Sequence, residues 1–530
     1  MTGPQEPVGL SFGTAGLRAS VGSGSDHMNV GTVTRASAGV ADWLLTTHQH
    51  PSDANRRDLS IAVSCDARYG SDAFAQATAQ VFAARGFAVT LLTGHTPTPV
   101  LAWVVKHRGL TAGVQITASH NPKADNGYKL YLAGGSQLIS PADREIEAAI
   151  ARQPAAASIA RSVNVRHDSS AVAGYVAAIG ELVASGRNDE LQPRRALRIA
   201  YTPMHGVGGD VLEAALRAAG FADIHAVTAQ RWPDPEFPSV DFPNPEEPGA
   251  TDMLLDLGSR VRADVLIALD PDADRCMIGV PTGNTDDAGH GYRMLNGNEL
   301  GPLLAKRIVA RTNSGRERPV VATTLVSSQL LGAMAAEYGW DYVETKTGFK
   351  YLARAADDRP GELAFAYEEA IGTCPAPHVV ADKDGIATAL ITATWAAELA
   401  TSNRTLLDEL AELEAQFGVY RSSQLSVRVG SIVEAGGVIE KFVENPPAEL
   451  AGVAMQAEPL GTDPAEGLRL TGTADDLHVR VVARPSGTEP KAKFYLEVHG
   501  AAHDASGVTA ALNQLEVDIP RAVEAVTGIA

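Results

Sequence analysis

The chain has 530 residues, with 44 Lys and Arg against 63 Asp and Glu, a formal net charge of −19. At about 150 residues per domain this length holds three to four domains, and 45% hydrophobic with 20% charged residues excludes a mainly disordered or fibrous chain. So acidic a surface excludes nucleic acid and anionic membrane as partners, while leaving room for a local basic pocket that takes a small anion.

MTGPQEPVGLSFGTAG at the start has no basic region and no apolar region of a secretory leader. No stretch reaches about 18 apolar residues, so no membrane span is expected. The three cysteines, Cys65, Cys276 and Cys374, are far apart and odd in number, which offers neither a disulfide framework nor a CxxC zinc site. They fit a reducing compartment, and the expectation is a soluble cytoplasmic protein.

In chain order, LSIAVSCD (59–66) predicts a buried strand, SDAFAQATAQVFAARG (71–86) a helix closed by glycine, and FAVTLLTG (87–94) and TAGVQITAS (111–119) two further strands. Short strands alternating with helices predict βαβ units and a largely parallel sheet. ARQPAAASIA (151–160) reads as a loop or domain edge. The pattern recurs with a strand at 195–203, a helix at 208–220 and a strand at 263–270, then with a strand at 318–328 and helices at 329–339 and 386–400. Beyond 418 the composition changes to alternating strands and a helical end, a smaller α+β unit.

Three motifs carry chemistry. TASHNP (117–122) follows a strand and places Ser119 where a side chain projects into a cleft. His120 is not automatically its base, because neighbours on extended backbone point to opposite sides; a plain polar turn remains the bland alternative. DPDADR (270–275) puts Asp270, Asp272 and Asp274 at alternate positions after an apolar strand, a set that can converge on one hard cation such as Mg²⁺, or form a solvated acidic turn. It is not an EF-hand, since the sixth position is Arg275 and the twelfth Pro281. RPSGTEPK (484–491) offers the hydroxyls and backbone of Ser486, Gly487 and Thr488 between Arg484 and Lys491, an anion nest or an ordinary turn. FGTAGLR (12–18) adds Arg18, YEEAIG (367–372) adds Glu368 and Glu369 for polyol hydroxyls, and KTGFK (346–350) adds Lys346 and Lys350. No GxSxG, Walker A or Rossmann spacing occurs. A serine, a metal triad, a diol binder and several anion loops together describe phosphoryl transfer on a sugar phosphate.

At these residues, and at NGYKLY (126–131), YTPMHG (201–206) and DKDG (382–385), the chain resembles the α-D-phosphohexomutase superfamily of phosphoglucomutases and phosphomannomutases. The resemblance implies a heart-shaped α/β molecule with a central cleft: three related mixed α/β domains at 1–190, 191–312 and 313–417, and a TATA-binding-protein-like α+β domain at 418–530. It also implies that Ser119 carries the transferred phosphoryl group and joins Asp270, Asp272 and Asp274 in holding Mg²⁺. His120, Lys129, Arg18 and Arg275 would act at the reacting group. Glu368 and Lys350 would bind sugar, and Arg484, Ser486, Gly487 and Thr488 the other phosphate.

The implied activity moves phosphate between C1 and C6 of glucose and/or mannose phosphates, primed by a hexose 1,6-bisphosphate, in a monomer or dimer. A phosphopentomutase or sugar-bisphosphate synthase on the same scaffold is the alternative. Two rivals stand outside the superfamily. One is a phosphatase with Asp270 as nucleophile, although Asp274 stands where that reaction needs Thr or Val; the other is a silent sugar-phosphate sensor.

Overall fold

The computed structural model describes residues 10, 12, 16–48, 59–184, 191–283, 291–312, 318–486 and 490–528. It divides into two compact units, residues 1–322 with 348–406 and residues 323–347 with 407–530.

The first unit opens with six strands: β1 (Leu17–Ser20), β2 (Ser60–Cys65), β3 (Ala88–Leu92), β4 (Ala112–Ile116), β5 (Asp125–Leu132) and β6 (Arg166–Asp168). They lie in the order β1-β5-β4-β2-β3-β6. The apolar runs of β2 and β4 are buried and pair in parallel. Helices Ser71–Ala84 and Thr98–His107 make the crossovers, and Phe74 and Phe82 join Ile61, Val63, Val114 and Ile116 in the core. The sheet is mixed rather than largely parallel. β5, built from NGYKLY, returns antiparallel to β4, and β1 pairs antiparallel with β5. Strand alternation sends Tyr128 into the core and Lys129 to the other face. Gly127 allows the close pairing, since a Cβ there would lie 2.5 Å from the Thr117 carbonyl oxygen.

The second sheet repeats the plan with β7 (Arg198–Thr202), β8 (Asp223–Ala226), β9 (Val265–Leu269), β10 (Cys276–Pro281) and β11 (Tyr292–Leu295) in the order β11-β10-β9-β7-β8. β7 runs parallel to β8 and β9, and β10 and β11 return antiparallel. β7 starts later than the apolar pattern suggests, because Leu191–Ala196 is a short helix. Further on, strands Leu363–Glu368 and Gly372–Cys374 form a tight antiparallel pair. Helix Gly385–Ala400, capped by the Asp384 carboxylate on the Ala387 amide at 2.9 Å, is buried over most of its length.

The second unit is a five-stranded antiparallel sheet, with Val419–Arg428, Lys491–Gly500, Leu477–Pro485, Leu468–Ala474 and Gln456–Pro459 as successive neighbours. Helices Ile432–Glu444 and Ala505–Thr527 cover its apolar face through Phe442 and Leu515, which meet Phe494 and Leu496 in one core. The same unit takes helix Leu330–Tyr338 and strand Asp341–Thr345. There the buried Glu497 carboxylate accepts hydrogen bonds from the Ser328 hydroxyl and the Gln329 amide and lies 3.7 Å from Arg480. Among the described residues no helix is long and apolar enough to cross a membrane.

Candidate active site

Strand β4 of the first sheet and strand β9 of the second, each parallel to a neighbour in its own sheet, deliver the chemistry from their carboxyl ends, where α/β sheets present loops to ligands. β4 leads into Thr117–Pro122 and β9 into Asp270–Arg275, both within the first unit. Ser119 has φ +52°, is 3% exposed, and its Oγ donates to Asp270 Oδ2 at 2.9 Å. The left-handed turn reverses the expectation drawn from extended backbone. It brings His120 Nδ1 to 3.2 Å from the serine Oγ, so the two adjacent side chains meet on one side.

Arg68 holds that turn. Its buried guanidinium donates to the carbonyl oxygens of Ser119 and Asn121 at 2.6 Å each, Pro122 at 2.8 Å and Asp125 at 3.1 Å. Its Nε lies 3.4 Å from Asp66, and the Phe237 ring centroid is 5.0 Å from its guanidinium carbon.

The three carboxylates do converge. One oxygen from each of Asp270, Asp272 and Asp274 lies within 4.8 Å of the others, and all three residues are buried. Lys129 Nζ donates to Asp272 at 2.7 Å and Asp274 at 3.0 Å, and Thr98 Oγ1 donates to Asp272 at 2.5 Å. Burial and the neighbouring carboxylates push Asp270 well above the usual carboxylate range. Burial also opposes ionisation of Asp272, but the Lys129 ammonium outweighs it and holds that carboxylate low. Asp272 Oδ1 and Asp274 Oδ1 are buried with no hydrogen-bond partner among the described residues. An all-oxygen set with such orphaned lone pairs fits a hard divalent cation.

Cations ring the triad. Arg275 Nη2 lies 3.6 Å from Glu368 Oε1, and Arg275 Nη1 donates to the Ala370 carbonyl oxygen at 3.0 Å. Arg18, placed by the β1–β5 pairing, donates to Asn121 Oδ1 at 3.0 Å. Lys383 Nζ stands 3.5 Å from Asp274 and 5.1 Å from the Phe349 ring centroid. Burial lowers the His120 imidazole well below its ordinary value, and Arg275 and Arg18 add to the effect.

Arg18, Ser119, His120, Lys129, the three aspartates, Arg275 and Glu368 thus form one connected cluster. Lys350 follows Phe349 and is itself buried, its ammonium without a hydrogen-bond partner among the described residues. Arg484 and Ser486 belong to the second unit, where the Arg484 guanidinium donates to Thr347 Oγ1. Gly487 and Thr488 lie outside the described residues. Sequence reasoning assigned no part to Arg68, Thr98 or Lys383. Lys383 had a visible signal in DKDG, and Arg68 a fainter one in the DAR that ends a buried strand.

The comparisons with known proteins agree with this geometry. Family models described as phosphoglucomutase/phosphomannomutase, alpha/beta/alpha domains I, II and III, match residues 9–157, 173–283 and 296–417. A probable phosphomannomutase of Haemophilus influenzae is 38% identical over 89% of this chain and 93% of its own length. A phosphopentomutase of Mus musculus is 36% identical over 78% of this chain and 68% of its own. A crystal structure of a putative phosphomannomutase from Thermus thermophilus superposes with a TM-score of 0.73 at 22% identity, over 97% and 99% of the two chains, which shows a shared fold. A buried serine on a carboxylate triad and matches over most of the chain lead to one conclusion: this protein belongs to the phosphoglucomutase/phosphomannomutase family of isomerases.

Proposed function

We propose that the protein moves phosphate between C1 and C6 of glucose and/or mannose phosphates, through phosphorylated Ser119 and a hexose 1,6-bisphosphate that also primes it. The observation that carries this reading is the Ser119 hydroxyl, buried, set in a left-handed turn and hydrogen-bonded to one of three converging carboxylates.

Phosphoryl transfer asks a protein chiefly for positioning and for charge stabilisation. Arg68 fixes the turn that aims Oγ. In the transfer, the P–O bond to Ser119 breaks as the P–O bond to a sugar hydroxyl forms; the same exchange at the other end of the bisphosphate rephosphorylates the serine. His120, kept neutral between transfers by burial and by Arg275 and Arg18, relays one proton: from the attacking sugar hydroxyl to Oγ as the serine leaves, and from Oγ to the departing sugar oxygen on rephosphorylation. Lys129, pinned between Asp272 and Asp274, keeps its proton and acts as fixed positive charge beside Arg18 and Arg275. Mg²⁺ bound by Asp270, Asp272, Asp274 and a phosphate oxygen on Ser119 would supply further charge neutralisation at the transferring group. Glu368 accepts hydrogen bonds from sugar hydroxyls, with Lys350 alongside as a second sugar ligand. In the second unit we assign Arg484, Ser486, Gly487 and Thr488 as ligands of a phosphate, and residues 418–530 as the domain built around them.

The test is a coupled assay of kcat/KM on glucose 1-, mannose 1- and ribose 1-phosphate with Mg²⁺ and catalytic hexose 1,6-bisphosphate. A hexose phosphate is expected to lead by about tenfold or more. A comparable lead for ribose 1-phosphate would establish the second reading, phosphopentomutase, which the 36% identity to the mouse phosphopentomutase favours. Turnover of none of the three would overturn both. The trapped phosphoenzyme should be an acid-stable phosphoserine at Ser119; a hydroxylamine-labile acyl phosphate would point to Asp270 as nucleophile instead.

A further inference from the structure

We propose that Cys65, Asp72 and His95 form a second metal site, distinct from the aspartate triad, that takes a transition-metal ion of the Zn²⁺ class. The three residues come from separate elements that meet beyond the carboxyl ends of β2 and β3. Cys65 ends β2, Asp72 is in the first turn of helix Ser71–Ala84, and His95 is in the loop after β3. The Thr96 amide donates to the Cys65 carbonyl oxygen at 2.8 Å, which ties that loop to the strand.

One donor atom from each residue lies within 4.8 Å of the other two. His95 Nε2 stands 3.2 Å from both oxygens of Asp72, and Cys65 Sγ stands 4.0 Å from Asp72 Oδ1. Tetrahedral Zn²⁺, with bonds of about 2.0 Å to N and O and about 2.3 Å to S, separates N from O by about 3.3 Å and S from O by about 3.6 Å. The His95–Asp72 separation matches that geometry and the Cys65–Asp72 separation exceeds it by about 0.4 Å, and three protein donors leave the fourth position for water.

The donor set also selects the ion. Sulfur, nitrogen and oxygen together suit Zn²⁺, whereas the all-oxygen triad suits Mg²⁺, so the two sites sort two kinds of metal. Thiolate and carboxylate balance the charge of a divalent ion. A thiol must lose its proton to bind a metal, so binding at Cys65 releases one. Asp72 and His95 are exposed and give the ion a path in, with Cys65 buried at its inner end. The chain leads from both ends of the cluster to catalytic groups: three residues past Cys65 is Arg68, and three past His95 is Thr98, which binds Asp272.

The experiment titrates Co²⁺ into the full chain at saturating Mg²⁺. A thiolate-to-cobalt charge-transfer band should saturate at about one equivalent and disappear on adding Zn²⁺. Cys65→Ser should abolish the band, and His95→Gln and Asp72→Asn should each weaken Co²⁺ binding about tenfold or more. Because Cys65 is buried, the two surface variants carry the test should Cys65→Ser misfold. No band in the native chain, or a band of unchanged strength and affinity in His95→Gln and Asp72→Asn, would overturn the proposal.

Discussion

Ser119 is held in a backbone conformation that an L-residue adopts at a cost, and the cost is met by its neighbours. Arg68 binds four carbonyl oxygens around the turn, a pattern that only a planar guanidinium with five donors can satisfy. Arg68→Lys keeps the charge but not the fork, so kcat should fall about a hundredfold with the fold intact; unchanged kcat would remove Arg68 from the mechanism. Arg68→Ala leaves Asp66 buried and unpaired, and should also cost about 3 kcal/mol in denaturant unfolding. Ser119→Ala should abolish turnover at an unchanged melting temperature, and full activity would sink the phosphoserine assignment. Ser119 was legible in TASHNP because strand, turn and nucleophile are contiguous. What Arg68 holds was not, since its carbonyl partners are more than fifty residues away.

At the scale of elements, the site exists because the loop after β4 in the first sheet meets the loop after β9 in the second, where Ser119 reaches Asp270. The Asp270–Arg275 loop is packed against Gly206, where a Cβ would lie 2.3 Å from Pro271 Cα and 2.4 Å from its carbonyl oxygen. Gly206→Ala must displace that loop and spread the three carboxylates. The concentration of Mg²⁺ needed for half-maximal activity should rise about tenfold or more, read from a titration of activity. Register matters equally. Lys129 reaches Asp272 and Asp274 because β5 pairs Gln115 with Lys129, and a slip of one residue would turn its ammonium into the core. NGYKLY entered the sequence reading only as a motif, with no strand assigned to it. Its antiparallel return, which makes the sheet mixed, was not legible, since periodicity reports which face is buried and not which neighbour pairs.

For the whole molecule, the two compact units carry different chemistry. In the first, chelation of divalent metal should abolish activity and added Mg²⁺ should restore it, because orphaned carboxylate oxygens call for a hard cation. In the second, His499 is stacked between Tyr420 and His478, and burial, then His478, lowers its imidazole to about 4. An unfolded histidine titrates near 6.5, so the unfolded chain gains that proton first. Stability from His499 is therefore complete above about pH 6.5 and drains away as pH falls towards 4. Thermal melts across that window should show the loss, and His499→Gln should flatten it. The acidic total of −19 says nothing of the site itself, where Arg18, Lys129, Arg275 and Lys383 gather around three aspartates. By itself the sequence determined the family and marked Ser119 and the three aspartates as candidates, because each of these is written in contiguous residues. Only the tertiary structure decided how Ser119 is aimed, which cations face the triad, and that Cys65, Asp72 and His95 meet. Those depend on contacts between residues far apart in the chain, which strand order and register bring together.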